Sequence, residues 1–138
     1  MNQVILIPIL FISFLGKAQS KFDNKIIVTM PDTVGIYIKT RVALANSNFI
    51  VRENYNMDTV STHLKELDAI KGYMATNAII SGNTVTFSGI YGLKRISAWG
   101  YTRLPGGYTR IIFYSGSKTW RELLGIAIKM RGEISYSD

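Results

Sequence analysis

His63 is the only histidine in the chain, so it is the first residue to consider for acid–base or metal chemistry. Glu66 follows three positions later, a spacing that would bring both side chains to one side of a helix. General acid–base catalysis also needs a nucleophile or a water at hydrogen-bond distance, and a metal site needs two or three further ligands at fixed spacings. No second histidine exists to complete such a site. We therefore interpret His63 as an exposed residue, and we expect no metal and no cofactor.

The segment Ser115-Gly116-Ser117-Lys118 has the serine-to-lysine spacing of serine acyltransferases, in which the lysine promotes deprotonation of the serine. The companion motifs S-D-N and K-T-G are absent. We interpret this segment as a strand-to-helix turn with Ser117 as the helix cap. Gly106-Gly107 also indicates a turn, because no phosphate-binding glycine pattern opens a helix there.

Basic and aromatic residues alternate between positions 94 and 114. If their side chains point to solvent, they form a surface on which sugar rings or bases stack while the cations pair with anions. If the rings point inward, the same residues belong to the core and its solvated rim. We take this cluster as the candidate ligand-binding site. Its members are Lys94, Arg95, Trp99, Tyr101, Arg103, Tyr108 and Arg110.

The chain contains no cysteine. This excludes a disulfide scaffold, a thiol nucleophile, cysteine-ligated zinc and an acylated cysteine. The acidic residues are few and scattered, so the sequence indicates no carboxylate pair for glycoside hydrolysis. An apolar content of 47% is typical of a folded domain rather than a disordered chain.

Residues 1–18 have the pattern of a secretory signal peptide. Val4 to Leu15 is nearly unbroken hydrocarbon, and Gly16-Lys17-Ala18 places small residues where a signal peptidase recognises them. The apolar run is shorter than the roughly 20 residues of a transmembrane helix. We therefore predict cleavage after Ala18 and export of a single domain, residues 19–138, without a lipid anchor or a transmembrane segment. Its location would be the periplasm or the cell exterior.

The basic residues are unevenly distributed. Cleavage would remove only Lys17 among the charged residues and leave 15 basic and 9 acidic side chains. From Lys94 to Arg131 there are eight lysines and arginines and one acid, Glu122. Such an excess suggests nucleic-acid binding inside the cytoplasm. For an exported protein, anionic lipids or acidic glycans provide the same charge, so we expect no nucleic-acid partner.

Hydrophobic periodicity predicts the elements that position these residues. Ile26 to Met30 is a β-branched run typical of a strand, and Asp32-Thr33 offers a cap for the following helix. Phe49 to Glu53 indicates another strand. Apolar residues at helical spacing predict the buried face of the first helix. They are Val34, Tyr37, Ile38, Val42 and Ala45.

The segment from Met57 to Gly72 fits two structures. Val60, Leu64, Leu67 and Ile70 follow helical spacing, but Val60, Thr62 and Leu64 also alternate as in a strand. Both interpretations remain open.

Two strands with a tight turn are predicted from Tyr73 to Tyr91. Gly82-Asn83 suits a two-residue hairpin turn, because glycine tolerates the positive φ that such a turn requires. Pairing outward from this turn places Ile80 opposite Val85, Ala78 opposite Phe87, and Met74 opposite Tyr91. These apolar pairs share one face and the polar residues share the other, which predicts an antiparallel sheet covered on one side.

The last third of the chain predicts strands over 101–104 and 108–114, a helix over about 118–131 and a short strand over 133–137. The apolar face of that helix is defined by residues at helical spacing. They are Trp120, Leu123, Leu124, Ala127 and Ile128.

Together these elements predict an α+β fold, with two helices packed on one face of an antiparallel sheet of five to seven strands. This order resembles the TBP-like fold of small exported domains of unknown function and of some outer-membrane assembly lipoproteins. The resemblance covers most of residues 26–137 and rests on element order, so it implies a fold but no catalytic residue. The absence of a lipobox cysteine departs from the lipoprotein members.

We predict a monomeric, non-enzymatic binding module of the bacterial envelope. Its expected partner is an envelope protein or an anionic glycan or lipid. The alternatives are a small periplasmic hydrolase with a site assembled from distant residues, and a periplasmic inhibitor or immunity protein.

Overall fold

A computed structural model of the protein describes residues 19–53, 56–97, 100–102 and 107–138, with the backbone alone for 95–97 and 100–102. The predicted signal peptide lies outside these ranges. The elements within them, in chain order, are β1 (Lys25–Thr29), α1 (Ile36–Asn46), β2 (Thr59–Ser61), β3 (Lys65–Leu67), a 3₁₀ turn (Asp68–Ile70), β4 (Gly72–Ser81), β5 (Thr84–Leu93), β6 (Arg95–Ser97), β7 (Gly100–Thr102), β8 (Thr109–Arg110), α2 (Lys118–Lys129) and β9 (Glu133–Ser137).

In this part of the chain, seven strands form one antiparallel sheet with neighbours in the order β2-β4-β5-β1-β9. β3 shares an edge of β4 with β2, and β8 shares an edge of β5 with β1. β6 and β7 form a separate antiparallel pair. Both helices contribute their buried residues to one hydrophobic core over one face of the large sheet. The predicted α+β class, an antiparallel sheet with two helices on one face, is confirmed.

The hairpin of β4 and β5 is the centre of the sheet and has the predicted register. Ile80 pairs with Val85, Ala78 with Phe87, and Met74 with Tyr91. Gly82 takes a φ of 58° in the turn, which a side chain at that position would resist. The side chains alternate between a buried face and an open face along both strands, so neither helix of the described ranges covers the second side of the sheet.

Helix α2 covers the sheet with the residues that the periodicity predicted, with two changes. The Ser117 hydroxyl accepts a hydrogen bond from the Trp120 backbone N–H at 3.2 Å and caps the helix. Trp120, Leu123 and Ala127 are buried, as predicted. Ile126 is also buried, whereas Ile128 is exposed.

Helix α1 forms where predicted, but the side that it buries is opposite to the predicted one. Its buried residues are Ile36, Thr40, Ala43 and Leu44. Thr40 is tolerated in the core because its hydroxyl donates to the Ile36 carbonyl at 2.7 Å. The predicted buried residues Val34, Ile38 and Val42 are 74%, 64% and 50% exposed, so this prediction was wrong. The reason is that α1 carries apolar residues on both sides, and spacing alone cannot choose between them.

The segment from Met57 to Gly72, which fitted two structures, forms two short strands and a 3₁₀ turn rather than an α-helix. Val60 in β2 is buried and pairs with Ala78 of β4, and β3 follows on the same edge. Phe49 to Glu53 is not a regular strand, because only Val51 forms a bridge, to Thr62. Pairing with β4 therefore determines the secondary structure of Met57 to Gly72, whose own periodicity was ambiguous.

The predicted strand over 108–114 is reduced to β8. Ile111 N–H still donates to the Gly89 carbonyl of β5 at 2.9 Å, but Phe113 N–H donates to the Asp23 carbonyl at 2.7 Å, outside the strands, so the chain leaves the sheet after Ile111. Ile111 is buried just after β8. The chain therefore passes from the open sheet face to the core within a few residues.

The chain is fixed to the domain from Gln19 onward. The Trp120 indole N–H donates to the Gln19 side-chain carbonyl at 2.9 Å, and the Gln19 amide donates to the Tyr136 hydroxyl at 3.2 Å. The described residues contain no helix that is long and apolar enough to cross a membrane.

Candidate ligand-binding site

The predicted basic–aromatic cluster does not stay together as one surface. Lys94 forms an ion pair with Glu66, and its ammonium lies 5.6 Å from the centre of the Tyr73 ring. Its side chain is 21% exposed. Lys94 is therefore occupied by contacts within the protein, at the edge formed by β3 and β4.

The next members of the cluster belong to the separate strand pair. The backbone places Arg95 in β6 and Tyr101 in β7, where Arg95 pairs with Thr102 and Tyr101 pairs with Ile96. Trp99 and Arg103 lie outside the described residues. The role of these four residues in the cluster stays a prediction.

Tyr108 and Arg110 satisfy the condition set for a binding surface, because both side chains are exposed. Tyr108 is 44% exposed, and Arg110 is exposed as well. Arg110 pairs directly with Ile90 of β5, and paired residues of antiparallel strands project from the same face of a sheet. Ile90 lies on the open face, so Arg110 emerges on that face too.

Tyr108 borders a groove of about 300 Å³ on this face. Ala75 and Ile90, from neighbouring positions of β4 and β5, line the groove together with Leu64. Arg52 and His63 complete its polar rim. This volume is at the lower end of the range for ligand pockets, about 300–1,000 Å³.

The backbone around Val51 and Thr62 brings Arg52 and His63 to the groove. Arg52 N–H donates to the Ser61 carbonyl at 2.8 Å, and His63 N–H donates to the Ile50 carbonyl at 2.9 Å. These bonds join a segment shortly after α1 to the end of β2 and to the connection between β2 and β3. Arg52 was not predicted as a site residue, because nothing in the sequence around it indicates that it lies close to Tyr108.

Two arginines on this face have no acidic partner among the described residues: Arg52 lines the groove, and Arg110 lies beside it, opposite Ile90. Neither Arg52 nor Arg110 forms an ion pair with any residue that the structure describes. Glu66 is bound to Lys94. Guanidinium groups without a carboxylate partner are suited to bidentate binding of a carboxylate or phosphate. An exposed tyrosine beside them offers a ring for stacking and a hydroxyl for hydrogen bonding.

The residues considered for catalysis have structural contacts instead. Ser117 caps α2, and the Lys118 ammonium donates to the Ala69 carbonyl at 3.0 Å. His63 lies in the rim without a described side-chain hydrogen bond. Across the ranges that the structure covers, no group of three or more histidine, aspartate or glutamate residues is placed to hold a metal.

We found no protein-family model, no curated protein and no solved structure that matches this chain.

Proposed function

We propose that the protein is a non-enzymatic binding module of the bacterial envelope, and that its ligand is an acidic glycan. The groove bordered by Arg52, His63 and Tyr108 carries this proposal. It combines the unpaired guanidinium of Arg52, an exposed aromatic ring and an apolar floor on an open sheet face.

These features match the chemistry of an acidic sugar. A sugar ring has apolar C–H faces that stack on tyrosine, and its carboxylate or phosphate substituent accepts hydrogen bonds from arginine. Ala75 and Ile90 offer an apolar floor below such a ring. Arg110 lies opposite Ile90 and supplies a second cation for a glycan that extends beyond the groove.

The envelope location rests on the predicted signal peptide. Cleavage after Ala18 would leave Gln19 as the first residue. The contacts of Gln19 with Trp120 and Tyr136 are compatible with this boundary, because a chain that begins at Gln19 keeps them.

Calorimetric titration with peptidoglycan fragments and with lipopolysaccharide core oligosaccharides tests the proposal. Arg52→Ala and Tyr108→Ala should each weaken binding about tenfold, since a hydrogen bond to a charged group or a stacking contact contributes roughly 1–3 kcal/mol. Added salt should weaken binding as well. A neutral glycan of the same length should bind less tightly.

Arg121→Ala is the matched control, because Arg121 is exposed on α2, away from the groove residues. It removes the same charge and should leave the affinity unchanged. Absence of binding at low salt, or equal losses from Arg52→Ala and Arg121→Ala, would contradict the proposal.

A further inference from the structure

Helix α1 is apolar on two opposite sides. Its inner side, with Ile36 and Leu44, is in the core. One turn of an α-helix takes 3.6 residues, so Ile38, Val42 and Ala45 lie on the opposite side, and all three are exposed. A helix that is apolar all round is normally covered on both sides. We call Ile38, Val42 and Ala45 the outer ridge of α1.

Shallow apolar grooves flank the outer ridge on both sides. One groove, of about 430 Å³, lies between α1 and the segment after α2, and its apolar lining includes Met30, Pro31 and Met130. The other, of about 410 Å³, extends from the ridge to Val51. Ile38 and Val42 line both grooves. The ridge therefore stands out between two apolar depressions.

Cations surround this apolar surface. Lys39, Lys129 and Arg131 line the first groove, and Arg41 lines the second. Helix α1 contains no acidic residue, and the single acid of α2, Glu122, is bound to Lys65 at 2.8 Å. Asp32, before α1, is the nearest acid in sequence to the ridge. A second copy of this surface would bring like charges together, so self-association through it is disfavoured.

We propose that the outer ridge of α1 rests on the surface of an anionic lipid bilayer. Ile38 and Val42 would enter the boundary between head groups and acyl chains, where a helix lying in the membrane plane buries its apolar side. Lys39 has an apolar stem that can lie along the ridge while its ammonium reaches a lipid phosphate. The Arg41 guanidinium donates to the Tyr37 hydroxyl at 3.0 Å, and the Lys129 ammonium donates to the Asn46 carbonyl at 3.1 Å. These two cations have neutral partners, so they keep their charge and add to the positive potential beside the ridge. This membrane contact does not depend on the glycan groove, which lies on the open face of the sheet.

Flotation with phosphatidylcholine vesicles, with and without phosphatidylglycerol, tests the contact. The protein is used as processed in an export host, with its N-terminus determined by mass spectrometry. We expect binding to the anionic vesicles and little binding to the neutral ones. The double variant Ile38→Ser/Val42→Ser should lower the partition coefficient roughly tenfold or more, because it removes the apolar part of the contact.

Two matched controls separate this contact from general attraction of a basic protein to anionic lipid. Ile79→Ser removes an apolar side chain of similar exposure, 49%, from the open face of the sheet. Lys21→Glu changes an exposed charge outside the helices and is compared with Lys39→Glu. Ile79→Ser and Lys21→Glu should bind anionic vesicles as the unsubstituted protein does. Ile38→Ser/Val42→Ser and Lys39→Glu should bind them less. Circular dichroism should show the same folded state for all variants.

A labelling experiment reads the contact directly. The chain has no cysteine, so Val42→Cys and Ile79→Cys each provide a single site for an environment-sensitive fluorophore. We expect a blue shift on anionic vesicles for the label at position 42 and no shift at position 79. Equal shifts at both positions, no binding to anionic vesicles at low salt, or binding unaffected by Ile38→Ser/Val42→Ser would overturn the proposal. Absence of vesicle binding is also the outcome expected if an acidic protein helix covers the ridge instead.

Discussion

At the scale of single residues, the close approach of α2's exit to β1 depends on a glycine. A methyl group on Gly132 would lie 2.6 Å from Val28 Cγ1 and 2.7 Å from the Thr29 carbonyl oxygen. Gly125, within α2, has no neighbour within 4 Å of the same position. The two glycines therefore have different structural roles, although they lie only seven positions apart. Gly132 allows close packing, whereas Gly125 only lowers helix propensity.

Replacement of these glycines by alanine should change stability in opposite directions. Gly132→Ala should lower the free energy of unfolding by about 1–3 kcal/mol, because overpacking forces the neighbouring backbone or side chains to move. Gly125→Ala should raise it by about 0.5–1 kcal/mol through the better helix propensity of alanine. Urea denaturation measures both. A stability loss of equal size in the two variants would show that the packing at Gly132 is not as described.

At the scale of elements, α1 is the helix whose orientation the sequence did not reveal. The predicted face was the i, i+4, i+8 series that begins at Val34, yet Ile36 and Leu44 form the buried side. Alanine substitution distinguishes the two sides. Leu44→Ala should lower the free energy of unfolding by about 2–5 kcal/mol. Ile38→Ala should change it by no more than about 0.5 kcal/mol, because Ile38 is exposed. Thermal and urea unfolding measure these values. If Ile38→Ala lowered the free energy of unfolding more than Leu44→Ala, the originally predicted side of α1 would be the buried one.

The hairpin of β4 and β5 was predictable because its determinants are local. The Gly82-Asn83 turn and the strict alternation of side chains set the register without reference to the rest of the fold. The same alternation identified the open face that now carries the groove. Tyr108 and Arg110 were predictable as a pair for the same reason, since they lie two positions apart next to Pro105-Gly106-Gly107.

The rest of the groove depends on contacts between distant segments. Arg52 and His63 reach Tyr108 through the bridge between Val51 and Thr62, which periodicity does not reveal. Lys94 fits the predicted pattern in sequence, but its pairing with Glu66, 28 positions away, removes it from the free cations. Hydrophobic patterning therefore predicted the layers of the fold, while the composition of the site depended on which strand edges meet.

At the scale of the whole molecule, the two faces have different surfaces. The helical side carries a basic apolar ridge, and the open sheet side carries the arginine and tyrosine groove. A protein that rests on lipid through its helices would therefore present its groove away from that lipid. The resemblance to the TBP-like fold stays a prediction based on element order.

The proposed export of the domain leads to a prediction about its N-terminus. Expression of the full chain in a Gram-negative host should give a form outside the cytoplasm that begins at Gln19, as measured by intact mass. Ala18→Arg should block this processing, because signal peptidase requires a small residue before the cut. Recovery of the unsubstituted chain in the cytoplasm with residues 1–18 still attached would contradict the predicted signal peptide.

The central claim is that the open-face groove binds an acidic glycan, and a titration followed by ¹⁵N NMR tests it most directly. On addition of peptidoglycan fragments at low salt, we expect the largest amide shift changes at Arg52, His63, Ala75, Ile90 and Tyr108. Residues of the outer ridge of α1 should not shift, because they lie on the other side of the molecule. Shift changes confined to α1, or none at saturating fragment, would contradict the account.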